Sequence, residues 1–391
     1  MRKLTDTVRF RHGATMTLRT AQAPMLTNSG VNEKVSEDTL KYYDARSQSA
    51  GMVIVEYTSV SPNGGPSRSW ARNREQLAIY DDTFKPGLTK VAKALKKDGN
   101  KAILQLVHSG REAQFRHILG GRVEVPSNMK FSWIDYPLYE LTEAEVWQIV
   151  NDFGAATKRA IDCGFDGVEI HGANHYLIQE FFSKFSNKRH DYWGGSFEKR
   201  MNFATEVTKE VLKVVKKFAP QDFIVGYRIS PEEIHGDNVG YTWHESTKLV
   251  KHLTAGFDLD YIHISSLDYA AKPKDSNQPL VKLFKPSLGP ETLLMIAGHI
   301  HTVQEMNDAL QYVDIVSLGR ATLIDPKIGY KLKHYLENEI QLSFNKESVA
   351  KSHLTPGLIS LLPNVPAFAM PGIDYLKSLS SDQLTNEVTH I

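Results

Sequence analysis

The chain has one cysteine, Cys163, among its 391 residues. It can form no intramolecular disulfide, and it cannot supply the four thiolates that an iron–sulfur cluster usually takes. No stretch approaches the roughly 20 consecutive apolar residues of a membrane-spanning helix. The N-terminus carries Arg2, Lys3, Asp6, Arg9 and Arg11 without an apolar run, so no signal peptide is expected. Net charge is only +1 and no long basic block occurs, which gives no pull toward nucleic acid. No Gly-x-Gly-x-x-Gly follows the first strand candidate, which argues against a doubly wound dinucleotide-binding sheet. No His-Glu-x-x-His occurs either; His171 and His175 have metal-like spacing but straddle a strand end, so no metal is expected. What remains is an ordinary soluble composition, 41% hydrophobic and 23% charged, for which a cytoplasmic enzyme is the default expectation.

Eight short β-rich runs are present, at 20–23, 52–56, 102–106, 167–170, 223–228, 261–264, 293–297 and 315–318. Amphipathic stretches lie between and after them, at 39–49, 84–97, 143–163, 197–218, 243–255, 302–312 and 327–338. Strand and helix in alternation predict parallel strands with crossover helices, and eight such units can close into a (β/α)8 TIM barrel. An open doubly wound sheet is the alternative, with fewer strands and an early glycine fingerprint.

Three segments fall outside the repeat. Residues 8–18 alternate around His12-Gly13 and read as a hairpin closing the barrel floor. Residues 109–141, with Gly120-Gly121, Pro126 and Pro137, are long for a βα loop and predict a lid or binding loop at the barrel top. Beyond Asn338 the periodicity fades, and Pro356, Pro363, Pro366 and Pro371 are expected to break any helix. The division expected is a barrel over 1–338 and an extension over 339–391, packed on the barrel or on a second copy of the chain in a homo-oligomer.

The most informative stretch is Gly167-Val168-Glu169-Ile170-His171-Gly172-Ala173-Asn174-His175-Tyr176-Leu177. Strand side chains alternate, so Gly167, Glu169 and His171 share one face and Val168 and Ile170 the other. The apolar face suits the helical layer. The polar face then points into the barrel, with His171 at the C-terminal mouth, where barrel active sites lie. His171 and Asn174 can both donate to one carbonyl oxygen, and the Tyr176 phenol beside them can deliver a proton. The alternative is a capped strand end with satisfied polar side chains. Arg228 shares a face with Gly226 and Ser230, which leaves room beside it; its alternative is a surface ion pair. Cys163 ends a helix at the opposite, N-terminal side of the barrel, and reads as a buried structural thiol.

Glu169-Ile170-His171-x-Ala173-Asn174-x-Tyr176-Leu177, Phe181-Phe182-Ser183, Ser186-Asn187-x-Arg189-x-Asp191-x-x-Gly194-Gly195-Ser196 and Arg200 together resemble the signature of the Old Yellow Enzyme family of FMN-dependent ene-reductases. The resemblance extends to Ala23-Pro24-Met25, Val55-Glu56, Gln105-Leu106-x-His108-x-Gly110-Arg111, Arg228 and Gly319-Arg320, over roughly residues 1–335. It implies an FMN cofactor, with NADH or NADPH and a small electrophilic acceptor binding in turn in one pocket. His171 and Asn174 would hold the acceptor's carbonyl oxygen or the nicotinamide carboxamide, and Tyr176 would protonate Cα. Gln105 and Arg228 would meet the flavin ring, where a cation stabilises the anionic reduced form. Pro24, Met25, Leu26, Thr27, Tyr57 and His171 would line it, and Gly298, Gly319 and Arg320 would take the phosphate.

Two positions depart from the family pattern. Leu26 stands where a Thr or Cys usually hydrogen-bonds the flavin O4, so either that contact is missing or Thr27 replaces it through a local shift. His175 stands where glycine is common. The resemblance implies reduction of the activated C=C bond of α,β-unsaturated carbonyl compounds. Quinones, nitro compounds or other electrophiles are the alternative acceptors, and a non-catalytic flavin-binding barrel is a third reading. Larger iron–sulfur relatives of the dienoyl-CoA reductase and trimethylamine dehydrogenase type are excluded by the single cysteine.

Overall fold

A computed structural model describes residues 2–365 and 370–379. Its centre is a closed barrel of eight parallel strands. In chain order these are β1 (Thr20–Gln22), β2 (Met52–Ser59), β3 (Lys101–Val107), β4 (Gly167–Gly172), β5 (Ile224–Ile229), β6 (Tyr261–Ser265), β7 (Leu293–Ala297) and β8 (Ile315–Leu318). Each pairs with its sequence neighbours, and β8 pairs with β1 to close the ring. All eight expected strands are present, and the open-sheet alternative falls.

The outer layer holds α1 (Glu37–Asp44), α2 (Lys85–Lys96), α3 (Glu143–Asp162), α4 (Asn202–Phe218), α5 (Trp243–Gly256), α6 (Leu280–Phe284), α7 (Val303–Leu310) and α8 (Ile328–Lys333). The reason is visible in α4, where Phe203, Val207, Val211 and Val214 recur every three or four residues and are buried. Each such side chain contributes roughly 1.5–3 kcal/mol on burial. A capping box between Thr142 and Glu145 starts α3. Cys163 caps its other end, buried, with its Sγ 3.5 Å from the Lys85 carbonyl; burial pushes the thiol pKa up, which keeps it unreactive.

Several expected boundaries are corrected. The stretch 39–49 is helical only to Asp44, and 197–218 breaks at Met201 into Phe197–Arg200 and α4. The helix expected over 327–338 runs only from Ile328 to Lys333, and a further one, Lys346–Ser352, lies beyond it. The short α6 carries too few residues for a periodic signal. Pro356 begins a helix, Pro356–Leu361, rather than ending one, because proline's fixed φ and missing N–H suit the first helical position. Pro366 lies outside the described residues.

The floor hairpin is formed by Val8–Arg9 paired with Thr15–Met16. Val8, Phe10, Ala14 and Met16 pack against Ala21, Met52, Ile54, Ile103, Ile224, Tyr261, Met295 and Ile315, the inward side chains at the strands' N-terminal ends. The bottom of the barrel is therefore apolar and plugged. The insertion 109–141 has its own small core of Ala113, Val123, Val125, Phe131 and Leu138. His108, at the end of β3, ties it down through Glu124 at 3.3 Å. The chain beyond α8 packs back on the first β/α unit: Arg46, just after α1, donates to the Ser352 carbonyl at 2.7 Å, and the Thr355 hydroxyl donates to the Thr27 carbonyl in the β1–α1 loop.

Candidate active site

Alternation on the barrel strands decides what reaches the interior. On β4, Val168 and Ile170 join the outer core, while Glu169 and His171 turn inward. On β5, Val225, Tyr227 and Ile229 face out and Arg228 faces in. Register places His171 opposite Arg228 and Arg228 opposite His263, so these three share a layer across β4, β5 and β6. The layer below holds Gln105, Glu169, Gly226 and Tyr261. A Cβ at position 226 would sit 2.1 Å from the Tyr261 ring, so the room left by Gly226 is filled by that tyrosine.

Glu169 is wholly buried, accepts from Gln105 Nε2 at 2.6 Å, and lies 2.8 Å from His263 Nδ1. Burial alone would raise its pKa. The His263 ring and the Arg228 guanidinium outweigh that and hold the carboxyl below its ordinary value, so it stays ionised. Burial holds the His263 ring below its usual value despite Glu169, leaving a neutral donor. Arg228 donates to the Ser265 hydroxyl at 3.0 Å. Gln105 Oε1, Arg228 Nε and Ser317 Oγ are buried on the inward face without a hydrogen-bond partner among the described residues. An unpartnered acceptor and an unpartnered cationic donor match the pyrimidine edge of a flavin, which presents both kinds of group. The residues present therefore fit FMN.

Above this layer lie His171, Asn174 and Tyr176. His171 Nδ1 accepts from the Ala173 N–H at 3.3 Å, which leaves Nε2 as the protonated nitrogen. Burial, then the Arg228 charge, pushes its pKa well below 6.5, so the ring is a neutral donor. Asn174 adopts φ +59, with its N–H on Ser230 Oγ at 2.9 Å. Its Oδ1 accepts from Ser265 Oγ at 3.0 Å, and Ser265 in turn accepts from Arg228. That chain commits the oxygen and leaves the Asn174 amide N–H2 to donate. Tyr176 packs edge-on to His171 at 4.9 Å and beside Tyr57 at 5.2 Å. Burial and the Tyr57 phenol raise the Tyr176 hydroxyl well above 10, so it holds its proton at neutral pH. Tyr57 reaches this cluster because a register shift between Val55 and Thr58 interrupts the alternation of β2.

Around the other half of the rim, Pro24, Met25, Leu26 and Thr27 follow β1. Met25 lies against Gly319: its Sδ is 3.6 Å from where a Cβ there would be. The Leu26 side chain is buried, and the Thr27 hydroxyl is engaged by Glu56 and Ser29. Gly298 ends β7 and Gly319 ends β8, where it caps the short helix Arg320–Ile324. Arg320 Nη2 meets His299 Nδ1 at 3.2 Å, bringing these two strand ends together. The sequence reading does not single out His263 or Ser265; the signal was there, as Tyr261, His263 and Ser265 alternate with two isoleucines. Part of the long motif is scaffold. Asn187 donates to the Phe181 and Trp193 carbonyls, Arg189 to those of Pro126 and Leu141, and Arg200 to that of Phe182, so these residues build scaffold.

A barrel with an apolar floor, a polar mouth and a flavin-compatible edge defines a flavin-binding oxidoreductase. The model of the NADH:flavin oxidoreductase / NADH oxidase family matches residues 8–339, and the chain belongs to that family, the Old Yellow Enzyme family. The probable NADH-dependent flavin oxidoreductase YqiG of Bacillus subtilis is 38% identical over 364 residues, covering 91% of this chain and 94% of that protein. The NADH:acrylate oxidoreductase of Vibrio harveyi is 36% identical over 337 residues, covering 83% of this chain and 32% of that larger protein. The solved structure of the old yellow enzyme homologue from Zymomonas mobilis superposes with a TM-score of 0.74 at 24% identity, over 89% of this chain and 96% of that one, and shows the shared fold. The chain is an enzyme that uses FMN with NADH or NADPH as electron donor. Among the described residues no helix is long and apolar enough to cross a membrane.

Proposed function

We propose that the enzyme reduces the activated C=C bond of α,β-unsaturated carbonyl compounds. The observation that carries this is the pair of uncommitted donors, His171 Nε2–H and the Asn174 amide, next to the protonated Tyr176 phenol. Bound FMN supplies hydride transfer from NADH or NADPH to the acceptor. His171 and Asn174 hold the acceptor's carbonyl oxygen and stabilise the negative charge that develops there. Because both are neutral, they donate without protonating the oxygen. Tyr176 then gives its proton to Cα. Arg228 and Gln105 would hold the flavin edge, where the Arg228 charge would offset negative charge on the ring. Pro24, Met25, Leu26, Thr27 and Tyr57 line the ring, and Gly298, Gly319 and Arg320 hold the phosphate. With its hydroxyl engaged by Glu56, Thr27 does not replace the contact that Leu26 lacks. We take residues 1–338 as the FMN-binding barrel and 339–391 as an extension, whose described part meets the barrel through Ser352 and Thr355. An acrylate oxidoreductase among the relatives agrees with C=C chemistry.

The test separates the half-reactions. In anaerobic stopped-flow, Tyr176→Phe should slow flavin reoxidation by cyclohexenone by ~10²–10⁴-fold, the usual contribution of a positioned acid, while reduction by NAD(P)H is spared. Equal slowing of both steps, or none, would refute the role. Fast turnover of menadione with none of cyclohexenone would favour the quinone-reductase alternative.

A further inference from the structure

The rim carries a second cluster that flavin chemistry does not use. After β5 the chain makes a hairpin, Glu233–His235 paired with Asn238–Tyr241, which turns at Gly236 with φ +59. It brings two side chains beside His175, the residue that replaces the family's glycine between Asn174 and Tyr176. The His175 and His235 rings are 5.0 Å apart, and His235 Nε2 is 3.2 Å from Glu233 Oε1. One nitrogen from each ring and one Glu233 oxygen all lie within 4.8 Å of one another. Sequence spacing hides this grouping, because the i, i+4 partner of His175 is His171 and His171 points elsewhere.

We propose that His175, Glu233 and His235 bind a divalent first-row cation of the Zn²⁺ class, with a fourth position left for water. Two imidazoles and one carboxylate form the donor set of an open three-ligand zinc site. The second layer is already in place. Gln179 Nε2 donates to Glu233 Oε2 at 2.8 Å, and its Oε1 accepts the His175 backbone N–H at 3.1 Å; the 3.1 Å contact of Nε2 with His175 Nδ1 is given up when that ring turns to the cation. That fixes the carboxylate and the loop together, as outer partners of metal ligands do. Arg111 is the nearby cation, but its Nη2 is 3.5 Å from Glu233 Oε1, a long contact, and its Nε faces Glu112 at 3.5 Å. Zinc bonds of ~2.0–2.1 Å need donor atoms about 3.4 Å apart, so the cluster must close by about an ångström, which half-buried imidazoles can do by χ rotation.

The test uses the holoenzyme, treated with a chelator, desalted and titrated with ZnCl2 by calorimetry. One saturable equivalent per chain is expected. His175→Gly should abolish it without endangering the fold, because φ at 175 is +66, which glycine accepts freely. His235→Gln should abolish it as well, and Gln179→Ala should weaken it by ~10–100-fold, the usual cost of losing an outer partner. His244→Gln, at an exposed imidazole paired with Asp275, should leave it unchanged. Co²⁺ in place of Zn²⁺ should give a visible band that disappears in His175→Gly. Absence of saturable binding in the wild type, or wild-type affinity retained in His175→Gly and His235→Gln, would overturn the proposal.

Discussion

Glu56 offers a test of the energetics around the first βα loop. It lies wholly buried on β2, with the Thr27 N–H at 3.3 Å, the Thr27 hydroxyl against Oε1, and the Tyr43 hydroxyl at 3.5 Å. Burial raises its pKa from 4.5 to about 8, and the Thr27, Tyr43 and Leu77 donors offset only part of that. In the unfolded chain the carboxyl titrates near its ordinary 4.5. Between these two values the folded state binds more protons, so stability falls as pH rises, by roughly 1.4 kcal/mol per unit. Over the whole window the loss is about 5 kcal/mol, an order-of-magnitude figure; below it both states are protonated, and above it the full penalty remains. Glu56→Gln removes the titration while keeping the shape of the protonated acid. Equilibrium urea unfolding at pH values from about 5 to 9 should show the variant gaining on the wild type as pH rises, then levelling off. Glu180 and Asp260, also raised, titrate in both proteins and cancel in the difference. Because Glu56 pins Thr27 beside Met25 and Leu26, wild-type FMN retention on desalting should fall above pH 8 and the variant's should not. A stability difference independent of pH would refute the reasoning.

Two further outcomes follow from the mouth. Gly298→Ala would put a Cβ 2.9 Å from the backbone of Ser266, Asp268 and Tyr269, whereas at Gly319 a Cβ meets only Met25 Sδ at 3.6 Å and Ala23 Cβ at 4.0 Å. Fluorescence titration should therefore show FMN binding weakened by at least ~10-fold in Gly298→Ala, about 1.4 kcal/mol, and near wild type in Gly319→Ala. Arg228→Met removes the inward cation; spectroelectrochemistry should report a lower flavin potential, and an unchanged one would show that Arg228 does not face the reduced ring.

Much of the site could be read in order along the chain. Alternation on β4 by itself puts Glu169 and His171 inside, and the same parity puts Arg228 there. What escaped was contact between distant strands. Glu169 meets His263, 94 residues away, and Asn174 meets Ser265 across 91. The position of Tyr57 depended on a strand irregularity that propensity does not encode. Pro356 misled because proline's effect depends on whether it enters a helix at its start or its middle.

The sequence by itself determined the barrel, since eight alternating strand and helix segments with one polar face leave few other ways to bury their apolar surface. It also grouped His171, Asn174 and Tyr176, because they lie within six positions on one strand end. Only the tertiary structure decided their states. Which nitrogen of His171 donates, which end of Asn174 is committed and why Tyr176 keeps its proton all depend on neighbours from β2, β4, β5 and β6. His175, Glu233 and His235 meet for the same reason: closing the barrel sets side by side the ends of strands far apart in the chain.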